Sequence, residues 1–207
     1  PVLAWHPTGR ALTYALEKRG ELYLNTYTVD DRKTVTKPVF LLEKILSMAY
    51  SADGQRMVFS GVREGHTDLY QYYVIGNRQE QLTDDLFDDL DPRFVDDGKG
   101  IIFSSDRTDD TLRMEKDVTY HLAAKDIFIF DLETRSPILQ RMSRTPGFNE
   151  TQPAQYDSSS YTYLSDKGGL NNRWLVTYDS AVSGIDTTVH YRYFTSEARV
   201  TDLKRGI

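Results

Sequence analysis

The sequence predicts an all-β chain of four repeated four-stranded units, and three observations predict it. Val, Ile, Thr, Tyr, Phe and Trp supply about a third of the 207 residues, and these types fit a pleated, half-buried surface. Short alternating apolar runs recur with polar turns between them. The same strand–turn–strand unit returns after 45, 44 and 61 residues, counted between Gly9, Gly54, Gly98 and Ser159. Four-stranded units with a period of about 40–45 residues are the sequence mark of β-propeller blades. One blade cannot cover both of its faces, and radial stacking buries each face against the next blade.

The units open with VLAWHPTGRALTYAL from Val2, SMAYSADGQRMVFSG from Ser47, DPRFVDDGKGIIFSS from Asp91 and QPAQYDSSSYTYLSD from Gln152. Glycine suits the first turn because it accepts positive φ without a Cβ clash, so Ser159 marks a different or strained turn. Polar turns follow at Glu17, Arg63, Ser105 and Ser165. Third strands come next: ELYLNTYTV, TDLYQYYVI, KDIFIFDL and NRWLVTYD. Fourth strands close each unit: TVTKPVF, EQLT, PILQRMS and TTVHYRYFT. In the second unit Leu69, Tyr70, Tyr72, Tyr73 and Val74 are too apolar for a sheet wet on one face. The long third interval is assigned to an insertion between second and third strands, Asp109–Lys125. Blades are therefore expected at 2–40, 47–84, 91–143 and 152–196, with 197–207 as a tail outside the repeat. The chain opens on Pro1 without an initiator Met and is read as part of a larger protein.

The third unit carries a recognisable pattern: Asp91, Pro92, Phe94, Asp97, Gly98, Ile102, Phe103, Ser105, Asp106 and Arg107, then Asp126, Ile127 and Phe128. The second unit repeats it with Ser51, Asp53, Gly54, Phe59, Ser60, Asp68, Leu69 and Tyr70. The first unit is looser, and the fourth keeps Pro153, Ser165 and Asp166 without the glycine. This pattern resembles the WD40-like (PD40) repeat of TolB-like β-propellers, over about residues 2–196. The resemblance implies a four-blade fragment of a larger ring, a periplasmic location and a non-enzymatic scaffold of the bacterial cell envelope. It implies a protein or peptidoglycan-linked partner, such as a peptidoglycan-associated lipoprotein-like protein. Similar repeats occur in prolyl-oligopeptidase-like serine peptidases, so a substrate-recognition or gating propeller is the alternative.

Composition removes several function classes. The absence of cysteine excludes disulfide scaffolds, Cys-ligated zinc and thiol nucleophiles. A net charge of −6 argues against a partner bound through nucleic-acid phosphates. The longest apolar run, Val39–Leu42, is far too short for a transmembrane segment. No G-x-S-x-G elbow or phosphate loop is present, and His6, His66, His121 and His190 lack ligand spacing. No catalytic residue, metal or cofactor is assigned. Asp84, Asp85, Asp88, Asp89 and Asp91 lack the spacing of a calcium loop and read as a solvated acidic turn. Propeller topology places blade-to-blade loops and second-to-third-strand loops on one face. The partner-binding residues expected there are Asp88, Asp89, Asp91, Asn149, Glu150 and Gln152. An arc taken from a larger ring also exposes two end faces, which predicts self-association of the fragment.

Overall fold

A computed structural model describes residues 2–112, 124–185 and 187–204. It contains four antiparallel four-stranded sheets whose strands follow one another in chain order. The first holds β1 (Leu3–Trp5), β2 (Ala11–Lys18), β3 (Glu21–Thr28) and β4 (Lys33–Val39). The second holds β5 (Lys44–Tyr50), β6 (Arg56–Arg63), β7 (His66–Tyr73) and β8 (Arg78–Gln81). The third holds β9 (Asp89–Val95), β10 (Gly100–Ser105), β11 (Asp126–Asp131) and β12 (Gln140–Arg141). The fourth holds β13 (Glu150–Gln155), β14 (Ser160–Ser165), β15 (Asn172–Ile185) and β16 (Val189–Arg199). The four-blade propeller arc is as the repeat predicts. Residues 113–123 of the expected insertion, with His121, lie outside the described residues.

Packing follows from strand alternation. First strands touch in succession, β1 to β5, β5 to β9 and β9 to β13, so they form the inner edge of the arc. Between the first two sheets lie Leu22, Leu24, Ile45, Met57, Phe59 and Tyr70. Val58 and Leu69 point the other way, against Ile101, Phe103, Phe128 and Phe130 of the third sheet. Ile102, Ile127 and Ile129 turn to Tyr161, Tyr163 and Val176 of the fourth. The two middle sheets are thus covered on both faces, which is why β10 is buried along its length. Each such side chain contributes about 1.5–3 kcal/mol on full burial. The outer face of the first sheet is uncovered, leaving Leu3 50%, Trp5 56% and Leu16 48% exposed.

The first turns explain the glycines. Gly9, Gly54 and Gly98 have φ of 70°, 71° and 82°, where a Cβ is unfavourable. Gly54 and Gly98 also admit a neighbour, His6 over the one and Arg56 over the other. The fourth turn is built differently: Asp157 Oδ1 accepts the Ser159 N–H at 2.9 Å, a side-chain turn that needs no glycine.

The last sheet departs from the sequence reading. β15 pairs with β14 only up to Thr177, and then runs on with β16 as a two-stranded ribbon whose Tyr178 and Tyr193 rings stack at 5.6 Å. β16 extends to Arg199, beyond the expected end at residue 196.

Candidate functional site

The expected binding residues are equivalent positions of two successive blades. Asp88 and Asn149 precede β9 and β13, and their N–H groups donate to Asp106 Oδ1 at 2.9 Å and Asp166 Oδ1 at 2.8 Å. The aspartate of the Ser-Asp-Arg and Ser-Asp-Lys turns therefore ties each second strand to the entry of its own inner strand. Asp91 and Gln152 sit at bulges where β9 and β13 slip past their partners. Both adopt left-handed φ, 53° and 50°, a strained state for residues with a Cβ. They meet across the seam: the Gln152 N–H donates to Asp91 Oδ2 at 3.1 Å.

Asp89 and Glu150 differ from the others. Both are fully buried at 0% exposure, so neither can touch a partner at the surface as the sequence reading expects. Their alternation along β9 and β13 turns them into the seams between blades. Asp88, Asn149 and Gln152 are exposed and Asp91 is half-buried. The acidic loop consequently presents Asp84 and Asp88 to solvent, while Asp85 and Asp89 are enclosed.

What encloses them is a side chain the sequence reading left out of the site. Arg107, fully buried, donates to Asp85 Oδ2 at 3.1 Å and to Asp89 Oδ1 at 2.6 Å. Asp68 completes the cluster: carboxylate oxygens of Asp68, Asp85 and Asp89 lie within 4.8 Å of one another, the one metal-holding arrangement among the described residues. Any cation there would compete with a guanidinium already bridging two of the three. Burial, with Asp89 close by, pushes Asp68 up to about 7. Burial also lifts Asp89, against the pull of Arg107, to about 6.

A second network repeats in three blades and fixes the outer strands. Thr83, Ser143 and Thr201 each accept a third-strand N–H through their hydroxyl: from Leu69 at 2.9 Å, Ile127 at 2.9 Å and Arg173 at 2.8 Å. Two residues later, the N–H of Asp85, Thr145 and Leu203 reaches Asp68, Asp126 and Asn172 at 3.4, 3.2 and 2.8 Å. The aspartate before each third-strand Ile-Phe or Leu-Tyr pair is thus a clamp. Thr201 and Leu203 therefore belong to the repeat, although the sequence reading placed 197–207 outside it. The signal was present as Leu82-Thr83-Asp84 against Val200-Thr201-Asp202.

The clamps floor two clefts on this face. One of about 340 Å³ is lined by Arg107, Asp126, Arg141, Thr145 and Gly147 among others. The other, about 190 Å³, is its counterpart one blade earlier, with Asp68, Gln81, Arg63, His66 and Asp84. Arg141 ion-pairs with Asp126 where Gln81 only hydrogen-bonds Asp68 at 3.2 Å. The first cleft is thus basic-rimmed, with Arg144 exposed beside it, and the second acidic.

No protein-family model matches the chain, and no curated protein does. Solved structures do. TolB from Acinetobacter baumannii is 16% identical with a TM-score of 0.64, over 100% of this chain and 45% of that one. A putative TolB from Agrobacterium tumefaciens is 18% identical with a TM-score of 0.68, over 99% and 62%. Prolyl oligopeptidase B from Galerina marginata is 8% identical with a TM-score of 0.59, over 94% and 30%. The chain has a TolB-like propeller fold, and it spans less than two thirds of each of these proteins. No helix among the described residues is long and apolar enough to cross a membrane.

Proposed function

We propose that this chain is a non-enzymatic propeller scaffold of the periplasmic cell envelope that binds a protein partner on the face where its inner strands begin. The carrying observation is the equivalence of Asp88 with Asn149 and Asp91 with Gln152 around strained bulges on one face. Strain held in place by interblade hydrogen bonds is characteristic of binding surfaces. The likeness to TolB over the whole chain supports the envelope setting, and a peptidoglycan-associated lipoprotein-like protein is the partner to try first. Exposed rim charges act mainly on association rate. Asp88→Asn with Gln152→Ala should slow association with that protein and flatten its salt dependence, with the melting temperature nearly unchanged. Normal binding by this variant would remove the face from consideration.

The likeness to a prolyl oligopeptidase propeller favours a second reading, a substrate-recognition propeller of a serine peptidase. A hydrolase domain with a G-x-S-x-G elbow in the same gene would decide for it.

A further inference from the structure

We propose that Glu150 is a proton-binding site in the seam between the third and fourth blades, neutral while the seam is closed and repelled from it once ionised. Glu150 stands at the first position of β13 with no exposed surface. Its side-chain partners are two hydroxyls: Ser143 Oγ donates to Oε2 and Thr145 Oγ1 to Oε1. Hydroxyls accept as well as donate, so the same pair can hold a protonated carboxyl.

The preceding seam shows what is missing. There the equivalent residue, Asp89, is met by Arg107 at 2.6 Å. The residue in the place of Arg107 one blade on is Lys167, and it has gone elsewhere. Its ammonium pairs with Glu197 at 3.7 Å and lies 4.9 Å from the Trp174 ring centre. No cation of the described residues pairs with Glu150.

The other groups packed around it do not fill that role. Asp126 on β11 is answered by Arg141 of β12. Glu197 on β16 is answered by Lys167. On β14, Tyr163 keeps its proton, burial and the nearby Glu150 raising it. Lys125 contributes its carbonyl, which accepts the Glu150 N–H at 2.8 Å, and Arg144 is turned outward to Asp110. Burial is the largest influence on the Glu150 carboxyl, with Asp126 and Glu197 adding to it and the two hydroxyls opposing, and together they lift it to about 7.

The direction of the pH effect follows. The unfolded chain releases this proton near the ordinary glutamate value, and the folded chain holds it to about 7. The stability tied to the proton is full below the unfolded value and is lost as pH rises through the folded one. The third–fourth seam is therefore tighter in mild acid than in mild alkali.

The test is the pH dependence of thermal unfolding of the whole chain and of Glu150→Gln, an isosteric neutral replacement. The wild-type melting temperature should fall between about pH 5 and pH 8, where Asp68 and Asp89 also release protons held by burial, and Glu150→Gln should remove roughly a third of that fall by raising the alkaline value. An unchanged slope in the variant overturns the proposal. Carbon-13 NMR of labelled glutamate carboxyls reads the site directly in the unmodified chain. A carboxyl titrating between about pH 6 and 8, absent from the Glu150→Gln spectrum, is the expected signal, and a Glu150 midpoint below about 5 overturns the proposal even if the variant fails to fold.

Discussion

Arg107 offers the sharpest test of how the second and third blades are joined. It is the largest of the fully buried side chains, and it bridges two carboxylates that are themselves enclosed, with a third nearby. Removing one partner of a buried ion pair leaves uncompensated charge and costs about 3–5 kcal/mol. For Arg107→Met the loss should reach that range at about pH 8, or about 6–20 °C in melting temperature for a chain of this size. The pH trend adds a second constraint. Asp68 and Asp89 are raised by burial to about 7 and about 6, so the folded state holds protons the unfolded state has released. Stability linked to them is complete below the unfolded value and is lost as pH climbs through the folded ones. Without the guanidinium, whose pull lowers Asp89, that carboxyl holds its proton more firmly still, so Arg107→Met should be far less damaging at about pH 5. Urea unfolding at both pH values, read as free energy at constant m, measures this. Asp85→Asn with Asp89→Asn in the Arg107→Met background should restore part of the loss at the higher pH. A cost below about 1 kcal/mol, or the same cost at both pH values, would refute the electrostatic account.

Three further outcomes are expected. Thr201→Ala removes a hydroxyl bonded to both the Arg173 N–H and Asn172 Oδ1 and should cost about 1–2 kcal/mol in urea unfolding; no loss would return residues beyond 199 to the status of a tail. Gly54→Ala forces a Cβ to within 2.2 Å of His6 Nε2 at a φ of +71°, so a destabilisation of about 1–3 kcal/mol is expected, and a neutral melting temperature would show that the first two blades are not in contact there. The open outer face with Leu3, Trp5 and Leu16 should drive concentration-dependent association in sedimentation, reduced by Trp5→Lys, and a monomer at all concentrations would argue against it.

The fold was legible because its cause is local and repeated. Left-handed turns at Gly9, Gly54 and Gly98 need glycine wherever the blade reverses, and so the period is written in the sequence. The middle blades bury both faces, so Ile127–Phe130 of β11 reads as an unbroken apolar run and Leu69–Tyr73 of β7 is interrupted only by Gln71. The fourth blade was legible only in part, for two physical reasons. Its turn uses an aspartate side chain in place of glycine. Its outer strand carries no alternation that stops with the sheet, because β15 and β16 continue as a ribbon that no other strand of the described residues pairs with, and most of its described side chains are exposed.

The acidic face shows where sequence reasoning runs out. Aspartates at Asp85, Asp88 and Asp89 look alike in a row, yet strand alternation at the blade entry sends Asp89 inward and Asp88 outward, while Asp85 is drawn in by the clamp geometry. Their partner Arg107 stands 22 residues from Asp85 and 18 from Asp89, a distance that only the folded blade order closes. A loop that reads as acidic by composition is thus neutralised from within only at Asp85 and Asp89, while Asp84 and Asp88 keep their charge in solvent. The same step in the next blade replaces the pair by Glu150 and two hydroxyls, with Lys167 held by Glu197. Two seams built from one repeat therefore meet a buried carboxyl in two ways, one with a guanidinium and one with a proton, and that difference follows from three exchanges between equivalent positions: Arg107 for Lys167, Asp89 for Glu150 and Asp85 for Thr145.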